Sequence, residues 1–178
     1  KNVSMGFSAN TQYGPPNQLA VEMLNIRISY NVVHNVGVLG VSSKGWGVNW
    51  GCGDCDHVAT TTIDNIDILN NVFAGAVTAN STMWGIELPD SGTATNVRVK
   101  NNIVTGFDYC PIYARQGSLG GVSITTLGIE RNVFFGNGNG NAILWSNGLV
   151  PSSYTLGTNY TTDPLFISTN VNTPNYRL

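Results

Sequence analysis

Four stretches of the chain align without a gap, and each places asparagine at the same offset. They are Ile26-Arg27-Ile28-Ser29-Tyr30-Asn31-Val32-Val33, Ile66-Asp67-Ile68-Leu69-Asn70-Asn71-Val72-Phe73, Val97-Arg98-Val99-Lys100-Asn101-Asn102-Ile103-Val104 and Leu127-Gly128-Ile129-Glu130-Arg131-Asn132-Val133-Phe134. The steps between them are 40, 31 and 30 residues. In each stretch the first and third residues are aliphatic and the second is not, which is the two-residue period of a strand. The sixth residue is always Asn, two apolar residues follow it, and Gly75, Gly106, Gly136 or Asn35 comes shortly after.

A second register recurs further along each unit, as Trp46-Gly47-Val48-Asn49-Trp50, Trp84-Gly85-Ile86-Glu87-Leu88, Cys110-Pro111-Ile112-Tyr113-Ala114 and Asn141-Ala142-Ile143-Leu144-Trp145. Each unit therefore holds about three short strands separated by Asn/Gly turns, and helical periodicity is absent. Short strands repeating at roughly 30 residues predict an all-β solenoid, a right-handed parallel β-helix of about five coils with three strands per coil. One coil cannot bury its apolar face alone, so neighbours stack about 4.8 Å apart. A β-sandwich also uses short alternating strands, but it does not require one Asn at a fixed offset in every unit. The expected organisation is an N-terminal cap or partial coil over 1–23, coils over 24–153 and a final partial coil or closing segment over 154–178.

Stacking the units makes specific columns. Ile28, Ile68, Val99 and Ile129 should form one inward stack, and Val48, Ile86, Ile112 and Ile143 another. Asn31, Asn71, Asn102 and Asn132 should form an internal ladder at a tight bend, where the left-handed conformation tolerates Asn. Their amides would satisfy backbone groups that water cannot reach. Arg27, Asp67 and Arg98 share an outward column, where alternating charge is mildly stabilising.

Composition narrows the function. Hydrophobic residues make up 42% of the 178, enough for a core, while charged residues are only 10%, against roughly 25% in ordinary soluble domains. Amides and hydroxyls carry the surface instead. The net charge is −2 and the basic residues are scattered, which argues against a nucleic-acid partner. No apolar run approaches the ~18 residues of a membrane span, so membrane insertion is not expected. The chain starts at Lys1 with no visible leader, which fits processing or a place inside a larger protein. Cys52 and Cys55, with His57 close behind, read as a loop disulfide or two free thiols. Zinc would need four ligands and a redox pair would sit near a βαβ unit, so no metal and no cofactor are expected. Cys110, before Pro111, reads as a buried thiol.

Leu24-Asn-Ile-Arg-Ile-Ser-Tyr-Asn-Val-Val-His-Asn-Val-Gly37 resembles the coil signature of the pectate-lyase-like right-handed β-helix superfamily. Trp84-Gly-Ile-Glu-Leu88 followed by Asn96-Val-Arg-Val-Lys-Asn-Asn-Ile-Val104 is similar to its next-coil pattern. Asn159-Tyr-Thr-Thr-Asp-Pro-Leu-Phe166 resembles the closing segment of its secreted bacterial members. The resemblance spans about 24–178 and is specific for fold, not for activity. It implies an extracellular or cell-surface protein from a group holding polysaccharide lyases, glycoside hydrolases, epimerases, phage tailspikes, adhesins and structural modules. The chain is shorter than the superfamily's enzymes, which fits a fragment, a processed chain or a module in an assembly.

The best constellation for sugar chemistry lies in the second register. Asn49, Glu87 and Tyr113 share an outward column, Arg115 falls two residues beyond Tyr113, and Trp46 and Trp84 stand at the strand entry. Glu87 would act as acid or base, Arg115 would anchor a uronate, and Trp46, Asn49, Trp84 and Tyr113 would bind substrate. Glycoside hydrolysis needs a second carboxyl group, and the pattern fixes none beside Glu87. Sequons at Asn2, Asn80 and Asn159 are candidate N-glycosylation sites. Two functions follow: a module that binds or processes polysaccharide, or a non-catalytic structural or adhesive module of a filament, sheath or virion appendage. The partners expected are a glycan, and other copies or neighbouring coils at the chain ends, where bare strand edges invite pairing.

Overall fold

The computed structural model describes residues 5–9, 22–36, 44–50, 62–75, 82–88, 93–114, 123–145, 153–166 and 175, with backbone alone at 5–9, 22–23, 35–36, 44–50, 82–83 and 123. In chain order the strands are β1 (Met5–Ala9), β2 (Glu22–Leu24), β3 (Arg27–Ser29), β4 (Val32–Val36), β5 (Lys44–Trp50), β6 (Thr62–Leu69), β7 (Val72–Gly75) and β8 (Thr82–Leu88). They continue as β9 (Thr93–Lys100), β10 (Ile103–Thr105), β11 (Cys110–Ala114), β12 (Ser123–Ile124), β13 (Leu127–Glu130), β14 (Val133–Phe135), β15 (Leu144–Trp145) and β16 (Tyr154–Leu156).

These strands make three sheets. The first runs β2-β6-β9-β13-β16, with β3 also on β6 and β12 also on β9. The second is β4-β7-β10-β14, and the third is β1-β5-β8-β11-β15. The chain visits first, second and third sheet in constant rotation, and each return lies beside the previous visit. Every described strand pair is parallel. A β-sandwich with antiparallel hairpins is therefore not the arrangement of the described residues.

Register follows from which residues are apolar. Ile28, Ile68, Val99 and Ile129 are successive partners in the first sheet. Val48, Ile86 and Ile112 are partners in the third, and Ile143 packs against the same core. Val33, Phe73, Val104 and Phe134 form the corresponding column of the second sheet. The central members of all three columns are buried in one apolar cluster. Each such side chain contributes roughly 1.5–3 kcal/mol of transfer free energy, and one residue of slip would turn the whole set outward.

The bends differ from expectation in one respect. The left-handed residue is not the repeated Asn but the one before it: Tyr30, Asn70, Asn101 and Arg131 have φ of 59°, 56°, 57° and 59°. That conformation reverses which side the next side chain takes, so Asn31, Asn71, Asn102 and Asn132 turn inward from ordinary backbone. A second left-handed column occurs at Asn25, Asn65 and Asn96, with φ of 57°, 57° and 52°. It bends the first sheet within β6 and β9 and separates β2 from β3. The segment before β2 also contributes a strand, since β1 lies parallel on β5.

Candidate functional site

The inner asparagines form a hydrogen-bonded column. Nδ2 of Asn31, Asn71 and Asn102 donates to Oδ1 of the next Asn at 3.1, 3.0 and 3.0 Å. The same Oδ1 atoms accept the backbone N–H of the preceding Asn at 2.9–3.0 Å. The second Nδ2 hydrogen of Asn71, Asn102 and Asn132 reaches back to the carbonyls of Ile28, Ile68 and Val99 at 2.9, 2.8 and 2.9 Å. Asn71, Asn102 and Asn132 are buried, where an unpaired amide would cost about 1–3 kcal/mol. Asn159 is a fifth member: its Oδ1 accepts from Asn132 N and Nδ2 at 3.0 and 2.9 Å. Its Nδ2 donates to Ile129 O at 3.2 Å and Gly157 O at 3.0 Å. The sequon reading of Asn159 therefore competes with the column for one nitrogen.

The outside of the first sheet carries charge in columns. Asp67 lies between Arg27, 3.0 Å away, and Arg98, with which it also pairs. One pass on, Lys100 pairs with Glu130, and Lys100 holds the Glu130 carboxyl below the usual range. Hydrogen bonds from Thr95 and Asn96 likewise lower the Asp64 carboxyl.

The third sheet carries the residues expected to handle sugar. Tyr113 and Glu87 are cross-strand partners, as are Trp84 and Trp46. Val48 pairs with Ile86, which sets Asn49 and Glu87 one residue further along those two strands. The rings of Trp84 and Tyr113 have centroids 4.7 Å apart, and Tyr109 completes a trio at 6.1 Å from Trp84 and 5.7 Å from Tyr113. Sequence reasoning missed Tyr109, whose only signal is an aromatic immediately before the Cys110 register. Gly85 has no room for a side chain, since a Cβ there would lie 2.2 Å from Val104 Cγ1 and 2.7 Å from Pro111 O.

Burial changes the chemistry of this face. Glu87 is 1% exposed and Trp84 is 5% exposed, while Tyr109 and Tyr113 are half-buried. A general acid must reach the glycosidic oxygen within hydrogen-bond distance, and a stacking platform must present its ring to the sugar. Among the described side chains of this face the accessible aromatic surface belongs to the tyrosines, with Trp84 buried against them. Cys110 is a buried free thiol, and burial pushes its pKa up to about 12.

Arg115, Cys52, Cys55, Asn2 and Asn80 lie outside the described residues, as do the side chains of Trp46 and Asn49. Among the described residues no three His, Cys, Asp or Glu side chains converge. A shorter polar column also went unnoticed in the sequence. Asn137 accepts the Phe107 N–H at 3.1 Å, donates to Val104 O at 2.8 Å, and donates N–H and Nδ2 to Asn141 Oδ1 at 2.8 and 3.1 Å.

Comparisons with family models, curated proteins and solved structures found no match to this chain.

Proposed function

We propose that the chain is a right-handed parallel β-helix of the pectate-lyase-like kind and serves as a structural module of an extracellular assembly. Its support is the constant rotation through three parallel sheets, with like residues in register from pass to pass. The observation that carries the structural role is the burial of Glu87 and Trp84, which withdraws the best acid and the best platform from solvent. What faces outward on the first sheet is a set of ion pairs and asparagines, a surface suited to solubility and spacing. The test is turnover of neutral and uronate-containing polysaccharides by the wild type and by Glu87→Gln. Neither should release product. Product from the wild type that Glu87→Gln abolishes would overturn the reading.

A second reading rests on Tyr109 and Tyr113. Two half-buried rings at 5.7 Å and a steep mutual angle of 76° offer a ring face beside phenol hydroxyls, which suits weak glycan binding without catalysis. Tyr113→Ala should then weaken retention on a polysaccharide matrix at a temperature where circular dichroism shows the variant folded, although loss of the Trp84 and Tyr109 contacts lowers its melting temperature.

A further inference from the structure

The bend from β14 to β15 carries two Asn-Gly pairs in succession. Asparagine stands immediately before glycine at three places in the sequence, and two of them, Asn137-Gly138 and Asn139-Gly140, fall here. In such a pair the glycine nitrogen, on losing its proton, attacks the side-chain carbonyl carbon of the asparagine. A five-membered succinimide closes, the C–N bond of the side-chain amide breaks, and ammonia leaves with the proton. Water then opens the ring to aspartate or isoaspartate. The net change is amide plus water to carboxylate plus ammonium, with no electron transfer. Glycine favours the attack because it puts no side chain in the way and turns freely.

The two pairs are held differently. Asn137 is buried, and both ends of its amide are engaged: Oδ1 accepts the Phe107 N–H, while Nδ2 donates to Val104 O and Asn141 Oδ1. The nitrogen that would attack is engaged as well, because the Gly138 N–H donates to Phe107 O at 2.8 Å. Gly138 is also closely packed, since a Cβ there would run into the Asp108 carbonyl. Asn139 and Gly140, by contrast, are exposed. A Cβ on Gly140 would meet nothing within 4 Å, and the Gly140 N–H meets no acceptor among the described residues. The Asn139 side chain has one tether, Nδ2 to Tyr109 O at 2.7 Å. Its turn is left-handed, with φ of 52°, 63° and 63° at Asn139, Gly140 and Asn141. Two bonds close it, Asn141 N–H to Gly138 O at 3.2 Å and Ala142 N–H to Asn139 O at 3.1 Å. An exposed turn with so few bonds opens locally at little cost.

We propose that Asn139 is a spontaneous modification site, converted by water to aspartate or isoaspartate through a succinimide closed by the Gly140 nitrogen. Asn137, in the same dipeptide two residues earlier, keeps its amide as long as the bend stays closed. The conversion has a structural consequence. A carboxylate at residue 139 has no N–H for the Tyr109 carbonyl and sets negative charge against it, and isoaspartate adds a methylene to the backbone of a three-residue turn. Tyr109 is in ring contact with Trp84 and Tyr113, so the modification loosens the tie between this turn and the aromatic cluster of the third sheet. The inference rests on the geometry of the bend and holds for the structural and the glycan-binding reading alike.

Incubation of the folded chain in mildly alkaline buffer, followed by proteolysis and mass spectrometry, tests it. Electron-transfer fragmentation separates the two neighbouring sites and distinguishes aspartate from isoaspartate. Asn139 should exchange its amide for a carboxyl at least about tenfold faster than Asn137, which reacts only in molecules whose bend has opened. A parallel sample in concentrated urea is the control: with the fold removed, the two Asn-Gly pairs should convert at like rates. An Asn139 that keeps its amide in buffer, an Asn137 that converts as fast as Asn139 in the folded chain, or an equally large ratio in urea would each overturn the assignment. The consequence is read from Asn139→Asp, which makes the product permanent. It should melt slightly below the wild type, and an equal or higher melting temperature would overturn the loosening of the turn.

Discussion

The bend from first to second sheet and the bend from second to third use the same backbone device with different side chains. At the first, a left-handed residue precedes an inward Asn on the four passes from Asn31 to Asn132. At the second, left-handed Gly106 and Gly136, with φ of 72° and 63°, precede Phe107 and Asn137. There a buried Phe on one pass is followed by a buried Asn on the next, and Asn137 Oδ1 satisfies the Phe107 N–H. The comparison separates geometry from chemistry. A left-handed residue turns the next side chain inward at both bends, but only an acceptor one pass later is needed to satisfy each buried N–H. Repetition of Asn at the first bend makes that acceptor also a donor, so the column is continuous; at the second bend it breaks at the phenyl ring.

A continuous column should be least tolerant in its middle, and this sets the largest expected effect. Asn102→Leu strands the buried Asn71 N–H, leaves Asn71 Nδ2 with the Ile28 carbonyl alone, and takes the side-chain donor from the carbonyls of Ile68 and Lys100, the latter still accepting the Asn70 N–H. At about 1–3 kcal/mol per stranded buried group, the loss is on the order of 3 kcal/mol or more, against a typical total of about 5–15 kcal/mol. Asn31→Leu at the half-buried end removes one of two donors to Asn71 Oδ1, and the backbone N–H of residue 31 still serves it. Its cost should stay under about 1 kcal/mol. Urea denaturation of both variants checks the ratio, and equal losses would mean that position along the column is irrelevant.

The next effect probes the third sheet, where columns are held by close approach and aromatic packing. Gly85→Ala places a Cβ 2.2 Å from Val104 Cγ1 and 2.7 Å from Pro111 O. Overpacking of this type costs typically about 1–3 kcal/mol. Val104→Ala in the same chain removes the methyl contact but leaves the backbone oxygen, so it should rescue Gly85→Ala only in part. Full rescue in thermal melts would show that the carbonyl of Pro111 gives way.

The same contrast explains what was legible in the sequence. The first bend repeats one residue at one offset, so alignment alone placed Asn31, Asn71, Asn102 and Asn132 in a common column. Asn159 escaped because its pass, Tyr154-Thr155-Leu156-Gly157-Thr158-Asn159, opens on tyrosine and follows the previous ladder Asn by 27 residues. The outer Asn25, Asn65 and Asn96 escaped because they precede the aliphatic pair that defined the unit. Phe107 over Asn137 carries no repeated letter, so only the glycines before them gave a signal. For Glu87, alternation gives the side of the strand but not what packs over it, and the carboxyl is buried on a face that periodicity marks as outward.

The smallest effect belongs to the ion pairs on the first sheet, and it carries a sign with pH. Lys100 holds the Glu130 carboxyl below its ordinary value of 4.5. A carboxyl depressed in the folded state contributes stability that is fully present above its unfolded pKa and is lost as pH falls through the folded one. Lys100→Gln should therefore lower the melting temperature slightly at pH 7, and wild type and variant should converge as the pH is taken below the Glu130 titration. Salt should shrink the pH 7 difference, because both groups are partly exposed and screened. The Lys100 stem also passes 3.5 Å from where a Cβ on Gly128 would sit, so it covers the neighbouring strand without using its charge. Lys100→Met keeps that cover and removes the ammonium. If Lys100→Met melts like the wild type at pH 7 and Lys100→Gln does not, the column at this position is held by packing, and the salt bridge merely accompanies it.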